Sequence, residues 1–548
     1  MRGLGYARRL PLAVSGALRR FAQDPARGRV ALERAVPRLR SNQITAEGPA
    51  AVDRAVAQDR YDVALDALET VALDSPDRGS CELAVAGLSG RLGDVAGARP
   101  ADARGRRAVR AARRQLGVLG RSLGPSLGPS LDPSLPSAPA ATSRSDRHHD
   151  APPRILHVVT NSLPHTQAGS TIRTQRVARA QRDLGWDAHV VTRPGYPVTH
   201  GDLWAGDTEV IDGVPYHRLL PAILPADDHM LDAYADLLSD LAGRLRPTVL
   251  HAASDQVNAG AALMVGRRLG LPVAYEARTF FEDMWLARHG GESARDSDTF
   301  TLLRERHTEV LLAADVVTTL GTAMREEIIA RGVDPTRVII TPNAVPLDFL
   351  EPRDAEASRQ LLGLPPALWI GSIATINADE GLDTMLKAVA VLRDRGVDAR
   401  ALVVGDGPGL VDLQRLARER AVPLTTPGRV PVGEVRTWFD ALDVFALPRR
   451  DTAVLRSVTP LKPLEAQARG IPVVGSDLPA VAEVLAPGSP LVAAGDVEAF
   501  ADALAAWADA GARADAGARA RSWVEATRTW PSVMEQYRSA YACLGVHA

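Results

Sequence analysis

The stretch "RILHVVT" at residues 154–160 decides the fold class, because its near-continuous apolar composition is that of a strand buried on both faces. A loop and a helix follow in "NSLPHTQAGSTIRTQRVARAQRDLG" at 161–185, and "DAHVVTR" at 187–193 is a second strand. A strand, a helix and a further strand in this order form a right-handed crossover unit. The sequence therefore predicts an α/β fold built on parallel sheets.

The same alternation continues in two series along the chain. Buried-strand runs recur at 248–253, 272–277 and 316–320, and a second series begins with "ALWIGSIAT" at 367–375. We predict two Rossmann-like domains, residues 151–350 and 351–520, that face a cleft at the carboxyl ends of their strands, where open α/β sheets bind ligands. Residues 521–548 are predicted to be C-terminal helices that cross back to the first domain.

The region before residue 151 has a different texture. The repeated Ser-Leu-x-Pro of "SLGPSLGPSLDPSLPSAPAATSRSDRHHD" at 122–150 predicts a largely disordered linker, since each proline removes a backbone donor. Residues 1–121 are predicted to form a small helical extension. Two amphipathic segments in it, at 50–73 and 80–98, resemble one tetratricopeptide-like unit.

Charge is unevenly distributed over the 548 residues, although the formal net charge is only -2. Residues 1–150 hold 24 Arg against 16 acidic side chains, and the remainder holds 40 basic against 50 acidic ones. We expect the basic leader to contact an anionic surface, either a membrane or another protein, and a solvated helical appendage is the alternative. No nucleic-acid partner is expected.

The start of the chain, "MRGLGYARRLPLAVSGALRRF", is interpreted as a short basic amphipathic helix, because Pro11 and Gly16 break its apolar centre. No apolar run approaches the ~20 residues needed to span a bilayer. The two cysteines, Cys81 and Cys543, predict neither a disulfide framework nor a metal cluster. We expect a cytoplasmic protein with peripheral contact to the inner face of the membrane.

Three loops of the second series follow predicted strands and are candidates for anion binding. They are Gly371-Ser372 after "LWI", Gly405-Asp406-Gly407-Pro408 after "ALVV", and Pro448-Arg449-Arg450 after "DVFAL". Loop amides and helix N-termini at such positions attract phosphates. One glycine after a strand is usually only a turn, but three such loops in order predict a binding site.

The chain resembles the family-4 retaining glycosyltransferases of the GT-B type over roughly residues 154–545. The matching stretches begin with "AGSTIRT" at 168–174, "YEARTFFEDMW" at 275–285 and "VIITPNAVPLDF" at 338–349. They continue with "IGSIATINADEGLDTMLKA" at 370–388, "VVGDGP" at 403–408, "GRVPVGEVRTWFDALDVFALPR" at 428–449 and "TPLKPLEAQARGIPVVGSD" at 459–477. The last stretch resembles a subgroup with a TPLKPLEA-type donor motif.

The resemblance implies transfer of a sugar from a UDP- or GDP-sugar to a glycan, lipid-linked or small-molecule acceptor, without cofactor or metal. It implies that Glu465 holds the donor ribose, which a carboxylate accepting from two hydroxyls can do. Catalytic roles are expected for Glu276, Arg278 and Lys462, and acceptor contacts for Arg173 and Glu282. The implied donor-binding residues are Gly169, Ser170, Gly371, Ser372, Gly405, Gly407, Arg429, Val430, Arg449, Lys462, Leu464 and Glu465.

Three positions depart from the family pattern. Ser457 stands where the first glutamate of a paired motif is usual, and Ser372 and Glu380 stand where an Arg and a Lys usually clamp the diphosphate. A diphosphate leaving group needs a cation. We expect Lys462, one of only two lysines in the chain, to supply it, with Arg449 and Arg278 as the next candidates.

Each candidate has a structural alternative. Glu276 and Arg278 are expected either to bind sugar hydroxyls and act as a base, or to form a mutually neutralising pair. Ser170 or Thr171 is expected to serve as a plain helix cap if not as a ligand contact. The "DSD" at 296–298 has the form of a metal motif, but we attribute it to chance.

Two other classes of function are compatible with the sequence. One is a catalytically silent GT-B scaffold or binding protein, which the missing Arg, Lys and first Glu favour. The other is a phosphorylase or sugar-phosphate synthase with the same two-domain cleft. A phosphorylase that uses pyridoxal phosphate needs a Schiff-base lysine, and Lys387 and Lys462 are the only two lysines available.

Overall fold

A computed structural model describes residues 51–121, with gaps between 53 and 77 and at 99–102, and residues 152–547 except 226–228 and 290. The chain divides into two compact units. The first comprises residues 1–318, 328–338 and 538–548, and the second comprises 319–327 and 339–537. The predicted linker at 122–150 and the basic amphipathic helix at the start of the chain lie outside the described residues.

The first unit begins with helices that precede the α/β part. They are α1 (Arg78–Leu88), α2 (Leu92–Gly97) and α3 (Ala103–Leu119). Val95 of α2 packs with Val109 and Ala112 of α3 in a small apolar core. The segment predicted at 80–98 thus forms helices, and α3 is an additional helix that the sequence pattern did not single out.

An eight-stranded sheet forms the α/β part of the first unit, in the order β3-β4-β2-β1-β5-β6-β7-β8. The pairings of β1 with β2 and β5, of β2 with β4 and of β5 with β6 are parallel, whereas β3 and β4 form an antiparallel hairpin at one edge. The strands are β1 (Arg154–Val159), β2 (Asp187–Thr192), β3 (Thr208–Ile211), β4 (Val214–Arg218), β5 (Val249–Ala253), β6 (Val273–Ala277), β7 (Val316–Thr319) and β8 (Val338–Ile340).

Helices follow the strands of this sheet as crossover connections. They are α4 (Gly169–Asp183), α5 (Met230–Leu245), α6 (Gln256–Leu269), α7 (Phe281–Arg288), α8 (Asp298–Ala313) and α9 (Thr322–Ala330). Every residue of β5 and β6 is buried, as expected for strands covered on both faces.

The second unit contains a six-stranded sheet in the order β11-β10-β9-β12-β13-β14, and its neighbouring strands pair in parallel. The strands are β9 (Leu368–Ile373), β10 (Ala399–Val404), β11 (Leu424–Gly428), β12 (Val444–Leu447), β13 (Val473–Ser476) and β14 (Leu491–Val492). Its helices and those at the end of the chain are α10 (Ala355–Leu362), α11 (Leu382–Asp394), α12 (Leu410–Glu419), α13 (Val435–Asp440), α14 (Ala453–Ser457), α15 (Lys462–Ala468), α16 (Pro479–Ala482), α17 (Val497–Ala505), α18 (Ala510–Thr527) and α19 (Trp530–Ala542).

The central strand β9 contributes side chains to two hydrophobic cores, because neighbouring side chains of a strand point to opposite faces of the sheet. Trp369 packs with Phe445 on one face of the sheet, and Ile370 packs with Met385 on the other. Short 3-10 helices complete the described elements: Val198–His200, Gly291–Ala294, Pro335–Arg337, Leu347–Leu350, Ala378–Glu380 and Val432–Glu434.

One predicted position is wrong. Gly371 and Ser372 were expected in a loop after the strand, but β9 extends through both of them to Ile373. A Cβ on Gly371 would lie 2.1 Å from the carbonyl oxygen of Leu402 on the neighbouring strand. This glycine therefore allows close packing within the sheet, and the loop begins only after Ile373.

None of the helices in the described part of the chain is both long enough and apolar enough to cross a bilayer.

Candidate functional site

The loop after β1 leads directly into α4, which carries the predicted contacts Gly169 and Ser170. The hydroxyl of Thr171 accepts a hydrogen bond from the backbone N–H of Ala168 at 2.9 Å and donates to the Ala168 carbonyl at 2.9 Å. Thr171 thus stabilises the first turn, one of the two alternatives that the sequence offered. Gly169 and Ser170 are exposed, and a Cβ on Gly169 would meet no atom within 4 Å.

A buried triad joins α4 to the end of β6. Arg173 donates from Nη2 to Oε1 of Glu276 at 2.7 Å and from Nε to the same oxygen at 3.1 Å. Arg278 donates from Nε to Oε2 at 2.6 Å. It also reaches the Ser170 carbonyl at 2.9 Å, which fixes the start of α4.

The electrostatics of this triad favour an ionised Glu276. Burial alone would raise the pKa of its carboxyl, but the charges of Arg278 and Arg173 outweigh burial and hold that pKa well below its usual range. Glu276 is fully buried, and the two arginines are nearly so. Within the triad, one ionised carboxylate is thus shared by two guanidiniums next to the exposed start of α4.

Two buried histidines, His157 and His251, lie close to Glu276, with their ring centres 4.8 Å apart. Nε2 of His251 is 3.8 Å from Oε2 of Glu276, and Nδ1 of His251 is 2.6 Å from the hydroxyl of Tyr541 on α19. Gln181 donates to the same hydroxyl at 3.1 Å and contacts Nε2 of His157 at 2.7 Å. Burial lowers the pKa of His157 to about 4 and that of His251 to about 3, so both rings are neutral at pH 7.

Glu282, the predicted acceptor contact, lies inside the first unit. Its carboxylate is 3.0 Å from Nδ1 of His307 and accepts a hydrogen bond from Nη1 of Arg331 at 2.5 Å. Burial raises the pKa of this carboxyl, but the opposing effect of His307 and Arg331 is larger and lowers the pKa to about 2. The Glu282 side chain is fully buried, and it contacts His307 and Arg331 in the interior of the first unit.

In the second unit, Lys462 and Glu465 are partners at the start of α15. Nζ of Lys462 donates to Oε2 of Glu465 at 2.7 Å and lies 5.7 Å from the centre of the Phe439 ring. Glu465 is fully buried, whereas the Lys462 side chain is 30% exposed. Pro463 is the second residue of α15. A proline suits the first turn of a helix, because the backbone N–H that it lacks would have no acceptor within the helix.

A second ion pair links the loops that follow β9 and β12. Arg449 donates from Nη2 to Oε1 of Glu380 at 3.2 Å and from Nε to Oε2 at 3.3 Å. Both side chains are largely buried. Glu380 was recognised in the sequence only as a departure from the family pattern, and its pairing with Arg449 was not predicted.

The backbones of these two loops approach closely. Gly381 has a φ of +64°, and a Cβ there would lie 1.9 Å from the carbonyl oxygen of Pro448. The N–H of Arg450 donates to the Asp379 carbonyl at 2.9 Å. Gly381 is therefore required for the two loops to meet.

The remaining predicted donor contacts also lie in the second unit. Gly405 follows β10 with a φ of +144°, and a Cβ there would lie 1.9 Å from the Ala374 carbonyl oxygen. Arg429 is exposed, whereas Leu464 is fully buried in the core. The other residues of the predicted set are Gly407, beside the carbonyl oxygen of Ile376, and the partly buried Val430.

The predicted residues are divided between the two units. In the first unit, Arg173, Glu276, Arg278 and the backbone of Ser170 are joined by hydrogen bonds, and Gly169 is next to Ser170. The second unit holds Gly371, Ser372, Gly405, Gly407, Arg429, Val430, Arg449, Lys462, Leu464 and Glu465, of which Lys462 and Glu465 contact each other. Among the residues described, no three His, Cys, Asp or Glu side chains are grouped in a way that could hold a metal ion.

Two segments match known domain families. Residues 168–344 match the family described as "Glycosyl transferase 4-like domain", and residues 365–509 match "Glycosyl transferases group 1". The chain is 30% identical over 215 residues to the lipopolysaccharide core biosynthesis mannosyltransferase LpsB of Rhizobium meliloti, an alignment that covers 37% of this chain and 56% of LpsB. It is also 30% identical over 190 residues to a GDP-mannose-dependent monoacylated alpha-(1-6)-phosphatidylinositol monomannoside mannosyltransferase of Corynebacterium glutamicum, covering 34% and 50% of the two chains.

These alignments span about half the length of the curated relatives. The following two solved structures are matched over nearly their full length. Sucrose-phosphate synthase of Thermosynechococcus elongatus superposes with a TM-score of 0.57 at 18% identity, covering 72% of this chain and 99% of that one. HepE of Anabaena, in complex with UDP and glucose, gives 0.56 at 14% identity, covering 71% and 99%. Residues 168–344 and 365–509 thus each match a glycosyltransferase domain family, and the chain has the two-domain GT-B fold of these solved structures.

Proposed function

We propose that the protein is a hexosyltransferase-type glycosyltransferase that moves a sugar from a nucleotide-sugar donor to an acceptor, with retention of anomeric configuration. The observation that carries the proposal is the buried carboxylate of Glu465 beside Lys462 at the start of α15. Both residues lie within the segment that matches "Glycosyl transferases group 1". A buried carboxylate next to a partly exposed cation suits a ligand with both hydroxyls and a phosphate.

Each member of this pair has a separate role in the proposed reaction. Glu465 accepts hydrogen bonds from the two ribose hydroxyls of the donor. Lys462 leaves Glu465 for the diphosphate, on which negative charge builds up as its bond to the sugar breaks. Because the lysine side chain is flexible and ends in a single point charge, it can change partners without moving the helix.

Glu276 is proposed to position the acceptor side of the site rather than to carry a proton. A general base works best when its pKa lies near the working pH, and the pKa of Glu276 is well below its usual range. Both of its oxygens are also engaged by Arg173 and Arg278. The triad instead fixes the start of α4, where the exposed Gly169 and Ser170 are proposed to contact donor and acceptor.

The donor is proposed to be a UDP- or GDP-sugar, and a glycan or a lipid-linked glycan is the favoured acceptor. UDP is bound in the HepE structure, and the Corynebacterium relative is named for GDP-mannose and a phosphatidylinositol mannoside. LpsB is named for the lipopolysaccharide core. These names favour a role in glycolipid or cell-surface glycan synthesis.

Thermal shift with UDP, GDP and ADP tests the proposal. At least one nucleotide should raise the melting temperature of the wild type, and Glu465→Gln should abolish that rise while keeping the shape of the side chain. Glu356→Gln, on the exposed face of α10, is the matched control and should respond as the wild type does. Donor hydrolysis with the corresponding nucleotide-sugars then measures turnover.

The catalytically silent scaffold remains the second candidate. The observation that favours it is the pairing of both candidate phosphate cations of the second unit, Lys462 with Glu465 and Arg449 with Glu380. If no nucleotide moves the melting temperature, the transferase proposal fails. If Lys462→Ala leaves nucleotide binding and turnover unchanged, the proposed site is wrong even though the activity stands.

A further inference from the structure

The helix α3 carries an uncompensated positive face. Its sequence, "ARGRRAVRAARRQLGVL", holds six arginines and no acidic residue. Arg107, Arg110 and Arg114 are exposed and follow one another at spacings of three and four, which places them on one side of the helix. Within the described part of the chain, no carboxylate lies within 4.0 Å of these three side chains.

This arrangement of arginines destabilises the helix α3 itself. Like charges three and four positions apart repel one another. The arginines in the first turns also lie at the positive end of the helix dipole, where cations are disfavoured. An isolated helix gains nothing from this arrangement, but an anionic partner would relieve both effects at once.

The opposite side of α3 is fixed to the protein. Val109 and Ala112 are buried against α2, and the N–H of Gly93 in α2 donates to the Asp298 carboxylate of α8 at 2.8 Å. Thr299 of α8 donates from its N–H to the Gly90 carbonyl at 3.2 Å. The arginine face is therefore held rigidly on the α/β part of the first unit.

We propose that the exposed arginine face of α3 docks on an anionic phospholipid bilayer. A guanidinium forms paired hydrogen bonds with a phosphate, and a row of three arginines about 10 Å long can contact several phosphates of a flat surface at once. The positive charge of the arginine face thus complements the negative charge of the bilayer. Membrane docking would give the helical extension a function of its own. The docking does not require the proposed sugar transfer, although a lipid-linked acceptor would lie at the same surface.

Vesicle sedimentation of the full chain tests this docking. Wild type should bind phosphatidylcholine vesicles that contain 30% phosphatidylglycerol, should ignore pure phosphatidylcholine, and should be released as salt rises. The triple variant R107Q/R110Q/R114Q should bind on the order of 100-fold more weakly, since each arginine contributes about a factor of five at such a surface. Circular dichroism and the melting temperature verify that the variant is folded.

The matched control is R415Q/R418Q/R420Q, which removes three exposed arginines within and directly after α12 and should bind as the wild type does. The proposal is overturned if the wild type ignores anionic vesicles or if the triple variant binds them as well as the wild type. It is also overturned if duplex DNA, and not the vesicles, is bound in a way that depends on these arginines. The UDP, GDP and ADP thermal shifts of the triple variant report separately on the proposed transferase.

Discussion

Arg449 and Glu380 face each other with two parallel hydrogen bonds of 3.2 and 3.3 Å, so that a carboxylate occupies the fork of an arginine at the carboxyl ends of β9 and β12. A diphosphate bound at this edge of the sheet would compete with Glu380 for the same guanidinium. The ion pair therefore weakens binding of any anion that uses Arg449.

Glu380→Gln is expected to tighten binding of UDP or GDP about three- to fivefold, because it removes the competing charge and keeps the size of the side chain. Isothermal titration calorimetry of the nucleotide measures the change. Glu356→Gln serves as the control and should leave the affinity unaltered. An unchanged or weaker affinity in Glu380→Gln would show that Arg449 does not contact the nucleotide.

Glu276→Gln is expected to destabilise the protein by about 3–5 kcal/mol, because two buried guanidiniums would lose the carboxylate that they share. Urea unfolding measures this loss. The control is Glu292→Gln, which breaks an exposed pair with Arg295 whose N–O distances are 2.6 and 2.7 Å and should change stability little. Equal behaviour of the two variants would contradict the structural role of the triad.

Stability is expected to fall below pH 6.5 because of His157 and His251. Their folded pKa values, about 4 and about 3, lie below the ordinary 6.5, so protons bind preferentially to the unfolded chain as the pH falls. The stabilisation is complete above pH 6.5, and each histidine should remove about 2 kcal/mol between pH 7.5 and pH 5. His251→Gln should flatten the pH profile of urea unfolding, whereas the exposed His200→Gln should not.

Gly381→Ala should destabilise the second unit by about 1–3 kcal/mol, because its Cβ would collide with the Pro448 carbonyl. Gly396→Ala is the control, because it introduces a Cβ at a positive φ without this collision. Gly396 also has a positive φ, +86°, but a Cβ there meets nothing within 4 Å. Equal melting temperatures for the two variants would mean that only backbone conformation matters at Gly381.

The periodicity of the sequence was sufficient to predict the two parallel sheets, because strands buried on both faces have near-continuous apolar runs. It failed at Gly371 and Ser372, where small residues were interpreted as a loop. They lie in β9 because Gly371 packs against the backbone of Leu402. Whether a glycine ends a strand or allows a close approach depends on its neighbour, which the local sequence does not contain.

The candidate site was predictable where partners are close in sequence. Lys462 and Glu465 are three positions apart on a helix, a spacing that brings side chains together. The partners of Glu276 could not be predicted in this way, since Arg173 is 103 positions away. The link from His251 to Tyr541 spans 290 positions and depends on the path of the last helix.

The near absence of lysine has a practical consequence for chemical labelling. Lys387 and Lys462 supply the only ε-amines of the chain, and they bond to Asp383 and Glu465 respectively. An amine-acylating reagent followed by peptide mass spectrometry would thus report on two side chains besides the α-amine of the chain, with Lys387 as an internal reference. Protection of Lys462 alone by a nucleotide would identify the bound ligand without any assay of turnover.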